Sequence, residues 1–502
     1  MQIKNAGYSS LIRSGLLLIR NYKIQHLIVR PIFFLGMGVW LLLASSPAWS
    51  GDIASQGRPS AEGEHADSKS ISPQCLYPGF FFQVKDSVFF TDGEYSHHRH
   101  LWRIDNSTHT ASPVGHLHPW RPDEGHLFFS SCNDLLFFAA ADNGLGVELW
   151  RSDGTEKGTF MLKDINPGRD SSDPLQFIPW NDHLYFFAKD GSNRYCLWST
   201  DGTSRNTIKV AEDRTGKQSW HPFCAAKTKD SIYFSLFNML WLTDGSSQGT
   251  RMIMKMASDR PETQLMRLTA LENSILFATK SSKGRELWQS DGTAKGTKLL
   301  KDIWEGPKSS DPQGLTQFGG QIVFSADDGI HGEELWISDG TTDGTSMMRD
   351  LLEGPIGSHP GRFIAQGKWL YFSSIKPLNN YGDMERILWR SDGTAQGTTR
   401  IHEFEVSSHD SAYFDMWGIP GGLYFTARER NNRSTLYFAR DNGPMTPCLQ
   451  DLCIGPDCTF LAGTMDEGLV FSYHKYELSS ESYLGFTDNP GACKGLIQVQ
   501  HR

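Results

Sequence analysis

Glu334-Leu-Trp-Ile-Ser-Asp-Gly-Thr341 recurs twice with a single residue changed, as Glu148-Leu-Trp-Arg-Ser-Asp-Gly-Thr155 and Glu286-Leu-Trp-Gln-Ser-Asp-Gly-Thr293. Weaker copies centre on Trp102, Trp198, Trp241 and Trp389, and degenerate ones on Tyr437 and Gly485. Successive anchors lie 48, 48, 43, 47, 48, 53, 48 and 48 residues apart. A period near 48 describes an array of supersecondary units, none of which can bury its apolar face alone.

The unit around the first quotation reads as four short strands. Leu315–Phe318 is followed by a Gly319-Gly320 turn, and Gln321–Ser325 has the β-branched and aromatic content of a second strand. A loop from Asp327 to Gly332 leads into Glu334–Ile337, and Asp339–Gly344 turns the chain into a fourth strand over Thr345–Leu351. Gly340 and Gly344 are both expected at φ > 0, with Asp339 accepting from backbone amides ahead of it. Adjacent Leu335 and Trp336 point to opposite faces of the sheet. Both faces therefore need cover, which stacking around an axis supplies. The sequence predicts an all-β β-propeller of eight or nine four-stranded antiparallel blades over residues 75–502. An open solenoid would call for polar end caps, which are not conspicuous.

The slips in the period are localised. From the second-strand aromatic to the anchor is 12 residues for Phe324 to Trp336, 7 for Phe234 to Trp241 and 17 for Phe372 to Trp389. Length variation thus sits in the loop between strands two and three. In a propeller that loop shares a rim with the connector between units, and such rims host binding sites.

Outside the repeat, residues 1–31 carry five basic residues and no acidic one, and Ile32–Ala44 is a 13-residue apolar run. Ala48-Trp-Ser50 then supplies small residues for cleavage before Gly51. Residues 1–50 read as a signal peptide, with an uncleaved anchor as the alternative, and 51–74 as a flexible linker rich in Ser, Gly and acids. The chain is expected to be exported to the periplasm, cell surface or extracellular space of a bacterium, with no transmembrane segment once the leader is removed. The whole chain carries a net charge of −9, which becomes −14 without the leader. Such a surface repels phosphate backbones, so nucleic acid is an unfavourable partner. All eight cysteines lie beyond the leader, and an even count in an exported chain suggests disulfides.

The chain resembles the bacterial ELWxxDGT repeat proteins, often labelled hyalin-like, over roughly residues 75–500. The string Glu-Leu-Trp-x-Ser-Asp-Gly-Thr-x-x-Gly-Thr followed by Lys163–Ile165 or Lys301–Ile303 carries the resemblance. It implies an exported, propeller-like repeat protein and supplies no catalytic residue.

Candidate chemistry is sparse. Asp327, Asp328 and Gly329 place carboxylates in a tight loop that could contribute to calcium binding, but that ion wants six or more ligands and turn chemistry also accounts for the pattern. His98 and His100 would share one side of a strand, a possible beginning for a metal site; solvated loop histidines are the simpler reading. No cofactor pattern and no nucleophile, zinc-protease or phosphate-loop motif occurs. The repeated Ser-Asp-Gly-Thr segments recur in most units, whereas catalysis breaks symmetry at one place, so they read as turns. Trp102, Trp150, Trp198, Trp241, Trp288, Trp336 and Trp389 read as structural anchors, one per unit. Tyr95, His97, Asn379 and Tyr381 are candidate binding residues in the variable loops. The sequence favours a non-enzymatic exported scaffold that binds an extracellular protein or polysaccharide through these loops. The alternatives are a carbohydrate-active hydrolase or lyase with acids at the central channel, and a structural envelope or matrix component.

Overall fold

The computed structural model describes residues 79–91, 99–105, 110–117, 129–142, 144–192, 194–212, 224–236, 239–255, 266–378, 384–406, 414–428, 434–453, 461–465, 468–475, 482–489 and 492–499. These residues form thirty-six strands, in nine successive units of four. The fold is a β-propeller. Seven units are separate four-stranded sheets, each a meander whose strands pair in chain order. The last two units merge through the bridges Leu452↔Lys475 and Cys453↔His474 into one eight-stranded sheet. The choice between eight and nine therefore resolves as eight sheets, the last of them double. The first strand of each unit lies beside the first strand of the next, and Leu461–Met465 returns to Gly79–Val84 to close the ring. Blades are numbered here by their anchors, from Trp102 in blade 1 to Trp389 in blade 7. The leader (1–50) and linker (51–74) fall outside the described residues.

In blade 6 the strands are Gln313–Phe318, Gln321–Asp327, Glu333–Ser338 and Ser346–Arg349. The third strand explains the Leu-Trp pair. Leu335 joins a buried cluster with Leu370, Phe372 and Trp389 of blade 7, whereas Trp336 joins one with Leu287 and Leu300 of blade 5. The same dovetail recurs around the ring. Leu101 clusters with Trp150, Leu149 with Trp198, Leu197 with Trp241, Leu240 with Trp288 and Leu388 with Tyr437. Each leucine faces the following blade and each anchor aromatic the preceding one, because neighbours on a strand alternate faces. Within a blade the anchor ring lies over a second-strand phenylalanine, as in Phe372–Trp389 and Phe234–Trp241.

The Ser-Asp-Gly-Thr-x-x-Gly-Thr segment is a hydrogen-bonded knot. Asp339 Oδ1 accepts from the Thr341 amide at 2.8 Å and its hydroxyl at 2.7 Å. Thr341 Oγ1 accepts from Gly344 N at 2.9 Å, and Ser338 Oγ meets Thr345 Oγ1 at 2.7 Å. Gly340 has φ 86°, as a tight turn requires. Gly344 is a correction to the sequence reading, because it is not among the residues with positive φ. Its lack of a side chain makes room for the aspartate, since a Cβ there would lie 2.1 Å from the Asp339 carboxylate. Gly344→Ala should displace Asp339 from Thr341 and lower stability by about 1–2 kcal/mol, the scale of a lost charge-assisted hydrogen bond or mild overpacking. Denaturant unfolding checks this, and an unchanged midpoint would remove the steric account.

The turns also tie blades together. Lys163 Nζ donates to the Thr207 carbonyl of the next blade at 2.6 Å, and Arg349 Nη1 donates to the Ala395 carbonyl at 3.0 Å. The disulfide expectation is not met at Cys132 and Cys196, which are free thiols. Both occupy the apolar interface between blades 2 and 3, where cysteine serves as a small hydrophobe.

Candidate binding rim

On one rim, the loop between strands two and three of a blade packs directly against the connector leaving that blade. A Cβ on Gly332 would lie 2.5 Å from Gly357 N, and one on Gly284 would lie 1.7 Å from the Lys308 carbonyl oxygen. Gly329 (φ 81°) leaves space for Trp304 of the preceding connector, and Lys308 lies over the same ring at 4.7 Å. Trp304 is thus covered by both of these neighbours.

The connectors leaving blades 2, 5 and 6 are held by the glutamate of Glu-Leu-Trp, which is fully buried in all three. Glu334 accepts from Leu351 N and Ser358 N, each at 2.8 Å, and from Ser358 Oγ at 2.7 Å. Glu148 does the same with Ile165 N, Ser172 N and Ser172 Oγ, and Glu286 with Ile303 N, Ser310 N and Ser310 Oγ. Burial pushes Glu148 and Glu334 up to about 7 and raises Glu286 as well. The connector then passes through Asp173-Pro174, Asp311-Pro312 or His359-Pro360, with φ of 46°, 45° and 45° at the residue before proline. Asp and His are among the residues that tolerate this left-handed conformation best.

Blade 6 breaks the repeat at this point. Asp173 pairs with Lys189 at 2.6 Å and Asp311 with Arg285 at 3.3 Å, both acid on the connector and cation on a strand. In blade 6 the polarity is reversed: Glu333 on the strand meets His359 Nδ1 on the connector at 2.9 Å. Ser325 Oγ fixes the other Glu333 oxygen from below at 2.6 Å. The Glu333 hydrogen bond holds the His359 imidazole above its ordinary range, with Glu334 and Asp327 adding negative potential, and its side chain is 46% exposed. Ser325 is buried, so this Ser–Glu–His chain is an orienting relay for His359 and presents no accessible nucleophile.

Asp327 and Asp328 are engaged in the adjoining loop. Asp327 Oδ1 accepts from Gly329 N at 2.7 Å, and Asp328 Oδ1 accepts from Ile330 N and His331 N at 2.9 Å each. Asp328 Oδ2 meets His331 Nδ1 at 2.7 Å, a bond that raises the imidazole. Burial works against the Asp328 charge, yet the donors from His331 and Ile330 hold it below the ordinary carboxylate range. No cluster of three or more His, Cys, Asp or Glu suited to a metal ion occurs among the described residues. The same rim carries apolar groups: Ile330 is 69% exposed, Ile356 63% and Leu378, just beyond the second strand of blade 7, 45%.

No family model and no curated protein sequence matches the chain. Among solved structures it is similar to a puromycin hydrolase, at 13% identity over 73% of this chain and 58% of that one, with a TM-score of 0.37. A puromycin-hydrolyzing peptidase of Mycobacterium tuberculosis matches at 10% identity over 72% and 57%, with a TM-score of 0.39. The tricorn protease matches at 9% identity over 84% and 44%, with a TM-score of 0.34. The chain spans about half the length of these proteins.

Of the residues singled out from sequence, Tyr95, His97, His98, Asn379 and Tyr381 lie outside the described residues. His100 falls in the third strand of blade 1, Arg99–Asp105. Glu333, His359 and Ser325 were not singled out. Their signal was present: Glu333-Glu334-Leu335-Trp336 stands where blade 5 has Arg285-Glu286-Leu287-Trp288, and Ser358-His359-Pro360 where blades 2 and 5 have Ser-Asp-Pro.

Proposed function

We propose that this chain is an exported, non-enzymatic β-propeller that binds an extracellular protein or polysaccharide through the rim of blades 6 and 7. The observation that supports this reading is the exposure of Ile330, Ile356 and Leu378 on one rim. They are three of the six large apolar side chains exposed among the described residues, and all three belong to the loops and connector of this rim. Exposed apolar groups beside oriented polar ones are the composition of a recognition surface. The Glu333–His359 and Asp328–His331 pairs supply directed hydrogen bonding there. Export rests on the basic leader and its apolar run, and kinship with the ELWxxDGT repeat proteins on the repeat itself.

The test is a glycan- and protein-array screen of residues 51–502, repeated with Ile330→Asp, Ile356→Asp and Leu378→Asp combined. A captured partner should lose about tenfold or more in affinity with the triple variant, since each buried apolar side chain contributes roughly 1.5 kcal/mol or more. The melting temperature should stay within a few degrees. Unchanged binding by the triple variant would move the site elsewhere. Substrate turnover abolished by Glu333→Gln would replace the binding reading with an enzymatic one.

A further inference from the structure

Three segments meet on this rim. They are the connector leaving blade 5 (302–312), the loop of blade 6 with the start of its third strand (327–334) and the connector leaving blade 6 (350–360). A Cβ on Gly329 would lie 2.3 Å from the Trp304 ring, and one on Gly357 would lie 2.4 Å from Glu333 N. A Cβ on Gly332 would lie 2.8 Å from the Ile356 carbonyl carbon, so the loop that carries Ile330 rests directly on the connector that carries Ile356. The three segments therefore form one continuous surface, from which both isoleucines project into solvent.

The charge of that surface is one-sided. The three segments hold nine acidic residues and one lysine, Lys308. Lys283 and Arg285 of blade 5 pair with Asp302 and Asp311, and Glu334 is buried. His331 and His359 offset Asp328 and Glu333 only when protonated. Glu305 and Glu353, one on each connector, are exposed and have no cation within ion-pair distance among the described residues. The exposed large apolar side chains here are aliphatic. Sugar rings pack their C–H faces on open aromatic faces, and the one tryptophan in these segments, Trp304, is covered by Lys308 and by the Gly329 turn. Aliphatic groups ringed by carboxylates suit a partner that brings apolar side chains ringed by cations.

We propose that the partner of this rim is a basic protein surface with apolar side chains, seated on the blade 5 connector and on the loop and connector of blade 6; this rests on the binding role given to the rim above. Ile330 and Ile356 would enter the apolar centre of the interface. Glu305 and Glu353 would lie at its edge and meet lysines or arginines, setting which partners are accepted and how fast they arrive.

The test measures binding of the full chain to three synthetic peptides at physiological ionic strength. The peptides have equal length and equal leucine content, with lysine, glutamine or glutamate at the remaining positions. The lysine peptide should bind about tenfold or more tightly than the glutamine peptide, and the glutamate peptide more weakly than either. Glu305→Gln with Glu353→Gln should weaken the lysine peptide by about threefold or more. Glu156→Gln with Glu272→Gln, which removes two exposed carboxylates from the opposite rim, should change it by less than about twofold. Ile330→Ala with Ile356→Ala should cost about tenfold. Equal affinity for the lysine and glutamate peptides, or equal losses from the two carboxylate pairs, would overturn the basic partner while leaving the rim's binding role in place. Tighter binding of a neutral glucan oligosaccharide than of any peptide, lost with the two isoleucines, would give the rim to carbohydrate and overturn it too. Lysine-peptide binding indifferent to the isoleucines would remove the rim's binding role itself.

Discussion

Replacing Trp389 by alanine should lower stability by about 3–5 kcal/mol, the range for removing a buried tryptophan from a packed core. Trp389 is 2% exposed, and its ring lies parallel to Phe372 with centroids 6.1 Å apart. Its Nε1 donates to Ser374 Oγ at 2.8 Å, and the Arg400 guanidinium covers the ring at 5.2 Å. It also fills the interface with blade 6, against Leu335 and Leu351. Alanine would open a cavity at the interface of blades 6 and 7, and two stacked blades cannot close it without moving as units. Trp389→Phe keeps most of the packing and loses the hydrogen bond, so it should cost about 1–2 kcal/mol. Urea unfolding measures both. A Trp389→Ala loss below about 1 kcal/mol would mean that the anchor is not a packing residue.

Glu334→Ala should cost about 3 kcal/mol and concentrate its effect on one connector. The substitution removes the common acceptor of Leu351 N, Ser358 N and Ser358 Oγ. Each buried donor left unsatisfied costs about 1–3 kcal/mol, and relief from burying a carboxyl beside Asp350 offsets part of the sum. Exchange protection should fall at Leu351 and Ser358 while the strand amides of blades 2 and 3 keep theirs. Global unfolding with no such local difference would show that the glutamate supports the whole ring rather than its own connector.

The architecture was legible because it rests on repetition. A 48-residue period, a turn with a left-handed glycine and a Leu-Trp pair on opposite faces are local signals, and the stacked sheets satisfy all of them. What the sequence did not reveal is what arises only across the chain. The role of Gly344 depends on the carboxylate of Asp339 folding back over it. Glu334 reads as a surface-compatible residue until its connector wraps it seventeen and twenty-four residues later. An even count of cysteines suggests disulfides, yet Cys132 and Cys196 are used for packing. At the rim, Asp327 and Asp328 were visible as a pair of acids, but their carboxylates are occupied by the loop's own amides and by His331. The more informative Glu333–His359 pair joins residues twenty-six apart. It could be found only by asking where one unit departs from its siblings.

The central claim is that Glu-Leu-Trp is an inter-blade dovetail and belongs to the scaffold rather than to a site. A double-mutant cycle between Leu335 in blade 6 and Trp389 in blade 7 tests it most directly. The two share one buried cluster across the blade boundary. If the dovetail holds the blades together, Leu335→Ala and Trp389→Ala should be non-additive, with a coupling energy of about 1 kcal/mol or more in urea unfolding. Additivity to within about 0.3–0.5 kcal/mol would contradict the account, because the leucine and the tryptophan would then be acting as independent residues.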